Sequence, residues 1–442
     1  MSLRALGRPS LLRPSLRRPS LLRPSLLRPP AAHVSPARRG ETRVWRVTGR
    51  SAIVAGMGLM LVLSGITAQS GWLFVLAADV LGLVAGAQIA RHRLGACSVE
   101  RVLPARARQG DDVTEELVVG HPGRTRLPAM RLEDHHPALQ PAAVVCDGPG
   151  GGASAHISLE RTVETRGVYE GGSVTIWSGA PFGLMRSRRV AEVVSPLTVV
   201  PRAVELSSFP ILEPSSYPSD APHERARTGA GEEYLGVREY RPGDPRRSVH
   251  WRSSARAGHL VVREFEQHSP RRAAVVVAGA DHGTPPESSF EALVSAAASI
   301  ALYALRTGHP LDLIRQGQGG SVDHLADPDG GAALDWLAAV TPSDVPLDPL
   351  VAEAARRAGR GGPVVMLAPS AGRTGQGLTS AVTTAQAVGA RPILVLALSS
   401  SWCEHDLGLP IEQRSQRALL GAGRVPLRTL SRGVDLAHAL HG

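Results

Sequence analysis

The sequence contains no lysine. All 49 of its basic residues are arginine, and that absence removes whole chemistries. A phosphate-binding loop of the G-x-x-x-x-G-K-[ST] type cannot be built, nor can a lysine Schiff base. Cysteine is scarce. Cys97, Cys146 and Cys403 stand far apart with no C-x-x-C, so neither a disulfide framework nor a zinc site is expected, and a reducing compartment fits. No G-x-S-x-G nucleophile motif occurs. Aromatic residues make up 4% of the chain, too few for the stacking platforms that hold single-stranded nucleic acid.

The net charge of +10 looks like a nucleic-acid footprint until it is mapped. Residues 1–50 hold twelve arginines and one acid, Glu41, whereas the rest of the chain sets 37 arginines against 38 acids. The basic signal therefore belongs to a tail, and no nucleic-acid partner is expected. Within that tail the pentapeptides starting at Ser10, Ser15, Ser20 and Ser25 each end in Arg-Pro. A proline every fifth residue forbids a continuous helix. The segment reads as disordered, either resting on anionic lipid or serving as a repeat without a role.

From Ser51 to Ala78 there is no charged residue, and two apolar runs of 18 or 19 residues flank the short break Gln69-Ser70-Gly71. Each run approaches the roughly 20 residues a helix needs to cross a bilayer. Residues 51–90 are thus expected to form two transmembrane helices in a hairpin, with Asp79 interrupting the second. Arginines precede the hairpin, and Arg91, Arg93 and Arg101 follow it. The positive-inside rule then places both termini and all soluble parts on the cytoplasmic side of the plasma membrane, in a multi-pass arrangement.

Residues 97–205 alternate apolar and polar positions between Gly/Pro punctuation, which predicts an all-β, sandwich-like module. Residues 206–234 read as a linker. From residue 267 to 442, the apolar runs AAVVVAGA, PLDLI, PVVMLA, PILVLALS and VPLRTL alternate with helical stretches. That rhythm predicts an open, mainly parallel α/β sheet.

Between linker and α/β domain lies EYRPGDPRRSVHWRSSARAGHLVVREFE, residues 239–266. Two strands, 235–240 and 260–265, share the pattern Val-Arg-Glu-aromatic. Arg238 and Glu239 in one, and Arg263 and Glu264 in the other, are placed to pair if the strands are neighbours. Pro242-Gly243 marks a turn and Asp244 a helix N-cap. The helix is expected from about Pro245 to Ala257, stopped by Gly258. Trp251 and Ala255 would share one helix face, with Trp251 wedged against the sheet. Arg252 and Arg256 would share a neighbouring face. The element reads as a salt-bridged brace or as a partner contact. It offers no nucleophile, so no catalytic residue is assigned.

This stretch resembles the signature of the domain of unknown function 58 family, carried here by Tyr240, Pro242, Gly243, Asp244, Arg247, Trp251, Ala255, Arg256 and Glu264 or Glu266. TRGVYEGG (residues 165–172) and APFGLMRSRR (residues 180–189) agree with it. The resemblance implies a membrane anchor, a β-rich middle module and a von Willebrand factor A-like α/β domain. It also implies association with MoxR-type AAA+ ATPases. A full metal site of that domain would need Asp-x-Ser-x-Ser. Asp281 is followed by Gly283 and Pro285 where the two serines would stand, so no metal or other cofactor is expected. An anion at the helix start near residues 372–377 is a weaker expectation. The expected function is that of a membrane-anchored adaptor docking such an ATPase or its client. The alternative is a metal- or phosphate-dependent hydrolase.

Overall fold

The computed structural model describes residues 43–93, 97–179, 183–209, 228–229, 233–242, 244, 248–266, 271–403 and 425–441. The pentapeptide repeats lie outside these residues.

The end of the expected tail is a strand, β1 (Arg43–Val47), which leads directly into α1 (Gly49–Ala68) and α2 (Gly71–Arg93). Gln69 makes the turn in the left-handed region, φ 47°, and donates its N–H to Gly65 O. Glycines let the two helices approach. A Cβ on Gly58 would stand 2.7 Å from Leu81, and Gly65 faces the Phe74 ring. The outward surface is apolar, with Ile53, Met60, Ile66 and Trp72 all exposed. α1 is long and apolar enough to cross a membrane, whereas the apolar part of α2, Gly71–Ala87, is shorter.

The β-module follows as β2 (Ser98–Val102), β3 (Arg106–Arg108), β4 (Asp112–Gly120), β5 (Met130–His135), β6 (Ala142–Cys146), β7 (Ser154–Thr162), β8 (Gly167–Ser178) and β9 (Met185–Val200). One sheet runs β1-β9-β8-β5-β6, with β3 also paired to β9, and the other runs β2-β4-β7. Leu117 and Val119 of the second sheet pack with Met130, Leu132, Val174 and Ile176 of the first, which makes the expected sandwich. A second apolar cluster includes Leu139, Val163, Leu197 and Val199. Along β4 and β9 the inward positions Glu115 and Ser195 fall between the two clusters. Here Arg101 donates to Glu115 at 2.7 Å and to Ser195 at 3.0 Å, and it also pairs with Asp134. Arg161 pairs with both carboxylates. All four charged residues are buried.

Three strands and a helix form the signature element: β10 (Thr228–Gly229), β11 (Glu233–Glu239), α3 (Trp251–Ala257) and β12 (Val261–Glu266), in the sheet order β10-β12-β11. The α/β domain then runs through β13 (Ala273–Val277), β14 (Gly283–Thr284), β15 (Glu287–Ser288), α4 (Ser289–Arg306), β16 (Leu311–Gln316), β17 (Val322–Ala326), α5 (Gly330–Ala338), α6 (Asp348–Ala358), β18 (Pro363–Pro369), α7 (Gly372–Gln376), α8 (Leu378–Ala387), β19 (Arg391–Ala397), β20 (Leu427–Leu430) and α9 (Leu436–His441). The main sheet order is β17-β16-β13-β18-β19-β20, parallel except for the edge strand β17. α4, α5 and α9 cover one face, α6 and α8 the other. α4 is also long and apolar, but it is two-thirds buried, as a core helix is.

The segment expected as a linker does not begin as one. Leu206 and Phe209 are buried in the α/β core, and Thr228–Gly229 pairs with β12.

Candidate functional site

The signature element is built on its two longer strands. β11 and β12 run antiparallel with Arg238 opposite Val262, Glu239 opposite Val261, Arg263 opposite Val237 and Glu264 opposite Gly236. This register sets no arginine directly opposite a glutamate, but leaves Arg238 diagonal to Glu264 and Glu239 diagonal to Arg263. Arg238 also forks onto the Asp244 carboxylate, with Nη1–Oδ2 2.7 Å and Nη2–Oδ1 2.8 Å. The same carboxylate accepts the Arg241 N–H at 2.8 Å, and the Asp244 N–H returns to Arg241 O at 3.0 Å. The bonds from Arg238 first, then that from the Arg241 backbone, hold the Asp244 carboxyl well below its ordinary 3.8, at about 2.

Asp244 therefore closes a turn. α3 begins only at Trp251, after His250, and not near Pro245. Tyr240 is half-buried and ties the strands through its N–H to Leu260 O at 2.8 Å. Pro242 lies exposed in the turn, while Gly243 and Arg247 are outside the described residues. The Glu239 carboxylate is exposed, 3.4 Å from His259 Nε2.

α3 is fastened by a small residue. The Ser254 hydroxyl accepts the Val261 N–H at 2.9 Å and donates to His250 O at 3.1 Å. Val249, Val261 and Val262 supply the buried apolar contact. Trp251 projects outward, 67% exposed, contrary to the expected wedge. Exposed Val237 and Leu260 also belong to this element, as do the exposed arginines Arg241, Arg252 and Arg256. A solvent-facing tryptophan is no part of a core.

The loops at the carboxyl ends of the α/β strands are occupied by structural work. Asp281 accepts the Phe290 N–H at 3.2 Å, helping Ser288 cap α4. Asp344 takes Thr374 N and Oγ1 at 3.2 and 3.3 Å, filling the helix start where an anion was expected. Among the described residues no group of three or more His, Cys, Asp or Glu converges as metal ligands would. Burial pushes the Cys97 thiol up to about 11, so it is no ready nucleophile.

Nothing in the sequence around Arg166, within TRGVYEGG, signals a role for that residue. Arg166 leaves the β-module to enter the α/β domain, where it donates to Val340 O at 2.7 Å and pairs with Glu291 at 3.2 Å. It also lies 5.5 Å from the Phe290 ring centre. Burial weakens both charges, pulling the arginine down and the glutamate up. A cleft of about 830 Å³ opens beside it, lined in part by Gln140, Glu164, Arg202, Glu291, Trp402 and Arg432.

A family model described as "Protein of unknown function DUF58" matches residues 236–330, from β11 to the start of α5, and supports the resemblance carried by the signature element. No curated protein matches the sequence. Among solved structures, a GH20 exo-β-N-acetylglucosaminidase from Vibrio harveyi in complex with N-acetylglucosamine aligns at 10% identity with a TM-score of 0.17. The alignment covers 73% of this chain and 60% of that enzyme, and likeness at that level carries no argument about fold or activity.

Proposed function

We propose, taking the DUF58 match as premise, that this protein is a membrane-anchored adaptor. Its signature element docks a protein partner, a MoxR-type AAA+ ATPase or that ATPase's client. The observation that carries the reading is Trp251, exposed at the head of α3 within the matched region. Arg252 and Arg256 beside it favour a partner surface with an apolar pocket and an acidic rim. The finer architecture belongs to the same proposal. The sheet order, with its lone antiparallel edge β17, supports a von Willebrand A-like domain. The apolar surface of α1 and the arginines around the hairpin support a two-span anchor with the soluble modules in the cytoplasm.

The test is affinity purification of the full chain from gently solubilised membranes, with and without ATP, against Trp251→Ala. An AAA+ ATPase should be enriched, and the variant should lose about 30-fold in affinity or more, the effect of deleting a tryptophan hot spot of about 2 kcal/mol. Equal recovery of the ATPase with both proteins, or none with either, would remove the docking role from this face.

A further inference from the structure

The cleft of about 830 Å³ between the β-module and the α/β domain is separate from the docking face at Trp251, since none of its lining residues belongs to the signature element. Its volume falls within the roughly 300–1,000 Å³ usual for ligand pockets. It opens beyond the carboxyl ends of β13, β19 and β20, where open α/β sheets hold their ligands.

The floor is apolar. Val204, Ala292 of α4, and Leu436 and Ala439 of α9 are half-buried, packed on the core and lining the cleft. Polar groups line it as well. The side-chain amide of Gln140, the Glu164 carboxylate, the Arg202 guanidinium and the hydroxyls of Ser295 and Ser431 make no hydrogen bond or ion pair among the described residues. The other charges are committed. Glu287 pairs with Arg432 at 3.2 Å, Glu291 with Arg166 at 3.2 Å, and Asp435 accepts the His438 N–H at 3.2 Å.

This lining disfavours several ligands. Acids outnumber arginines in it, and Asp281 and Ser288 already hold the Phe290 and Glu291 N–H groups at the start of α4, so a phosphate or nucleotide has no seat. A polycation would find Glu287, Glu291 and Asp435 taken. Trp402, the one aromatic residue in the lining, is buried and leaves no ring face open for a sugar. What remains is a ligand of no large net charge that brings apolar side chains together with amide donors and acceptors, which is a segment of peptide.

We propose that this cleft binds an extended peptide segment of another protein, with its apolar side chains on the floor of α4 and α9, its backbone amides at Gln140, Ser295 and Ser431, and an acidic side chain at Arg202. The site needs neither the membrane anchor nor the docking face at Trp251.

The probe is a library of acetylated, amidated octapeptides with leucine at alternate positions and serine, glutamine, glutamate or arginine between, presented to the full chain in detergent. Wild type should hold members with one glutamate about threefold more tightly than their glutamine counterparts, the effect of an exposed ion pair. Arg202→Glu, at an exposed position, should reverse that order in favour of arginine. Ala292→Trp should fill the floor and weaken retention about tenfold or more. Bound peptide should slow hydrogen exchange in wild type at residues 162–164 and 431–436, on the two walls, a readout that does not depend on how either variant folds. No retained peptide, an order unchanged in Arg202→Glu, or retention of an oligosaccharide mixture in place of peptide would overturn the site. Protection confined to residues 235–266 would overturn it too and move peptide binding to the docking face. Loss of the ATPase contact at Trp251 with peptide retention intact would leave this site standing.

Discussion

Two residues of the signature element show how local bonding decides what a side chain does. Trp251 looked like a core residue because large aromatics usually are. Its helix is instead fastened through Ser254, whose hydroxyl accepts the Val261 N–H, and the indole stays exposed. Removing the indole should leave thermal stability within about 0.5 kcal/mol, as for other exposed positions. Asp244 is the opposite case, a short acid that organises its surroundings. Its folded value, about 2, lies below the ordinary 3.8, so its contribution is complete at higher pH and is lost as the pH falls through that interval. Hydrogen exchange at Arg241, corrected for its intrinsic pH dependence, should stay slow near neutrality and quicken on acidification. In Asp244→Asn it should be fast at every pH. Slow exchange in that variant would show that Arg238 holds the turn without a charged partner.

At the scale of elements, the buried quartet Arg101–Glu115–Asp134–Arg161 joins the two sheets of the sandwich. Burial and the neighbouring Asp134 charge raise the Glu115 carboxyl. Burial opposes the Asp134 charge too, but Arg101 and the hydrogen bonds from Arg161 prevail and lower its pKa. Deleting one member strands the others, so Glu115→Ala should cost roughly 3–5 kcal/mol in denaturant unfolding of the detergent-solubilised chain. A loss under about 1 kcal/mol would mean that water reaches the remaining charges. The sequence did not announce this layer. A charged residue at alternate strand positions reads as solvent-facing, and only the pairing of sheets turns it inward. The parallel strands were legible because each is buried on both faces and is therefore an unbroken apolar run. β17 was not, since as an edge strand it mixes His324 and Asp323 with half-buried apolar positions. The helix in the signature was foreseen, but α3 starts later than expected, at Trp251, and the Asp244 carboxylate is engaged by Arg238 and the Arg241 N–H.

Across the whole molecule, Arg166 couples the β-module to the α/β domain through Val340, Glu291 and Phe290. Arg166→Ala would leave Glu291 buried without its partner and should weaken the junction by roughly 3–5 kcal/mol. Unfolding should then separate into two transitions, with protease cutting near residues 200–209. Combining the change with Glu291→Leu should recover part of the loss. A single unaltered transition would assign the coupling to Leu206 and Phe209 instead.

The placement of β1 also sets an order of events during synthesis. That strand is made before the hairpin, yet its partner β9 begins at Met185, about 140 residues later. At ordinary translation speeds the interval is roughly 7–30 s. For that time β1 waits beside the nascent hairpin without its ladder. The sandwich can be closed only after the hairpin has been made, so the finished module records, in its outermost strand pair, that it was assembled around its own hairpin.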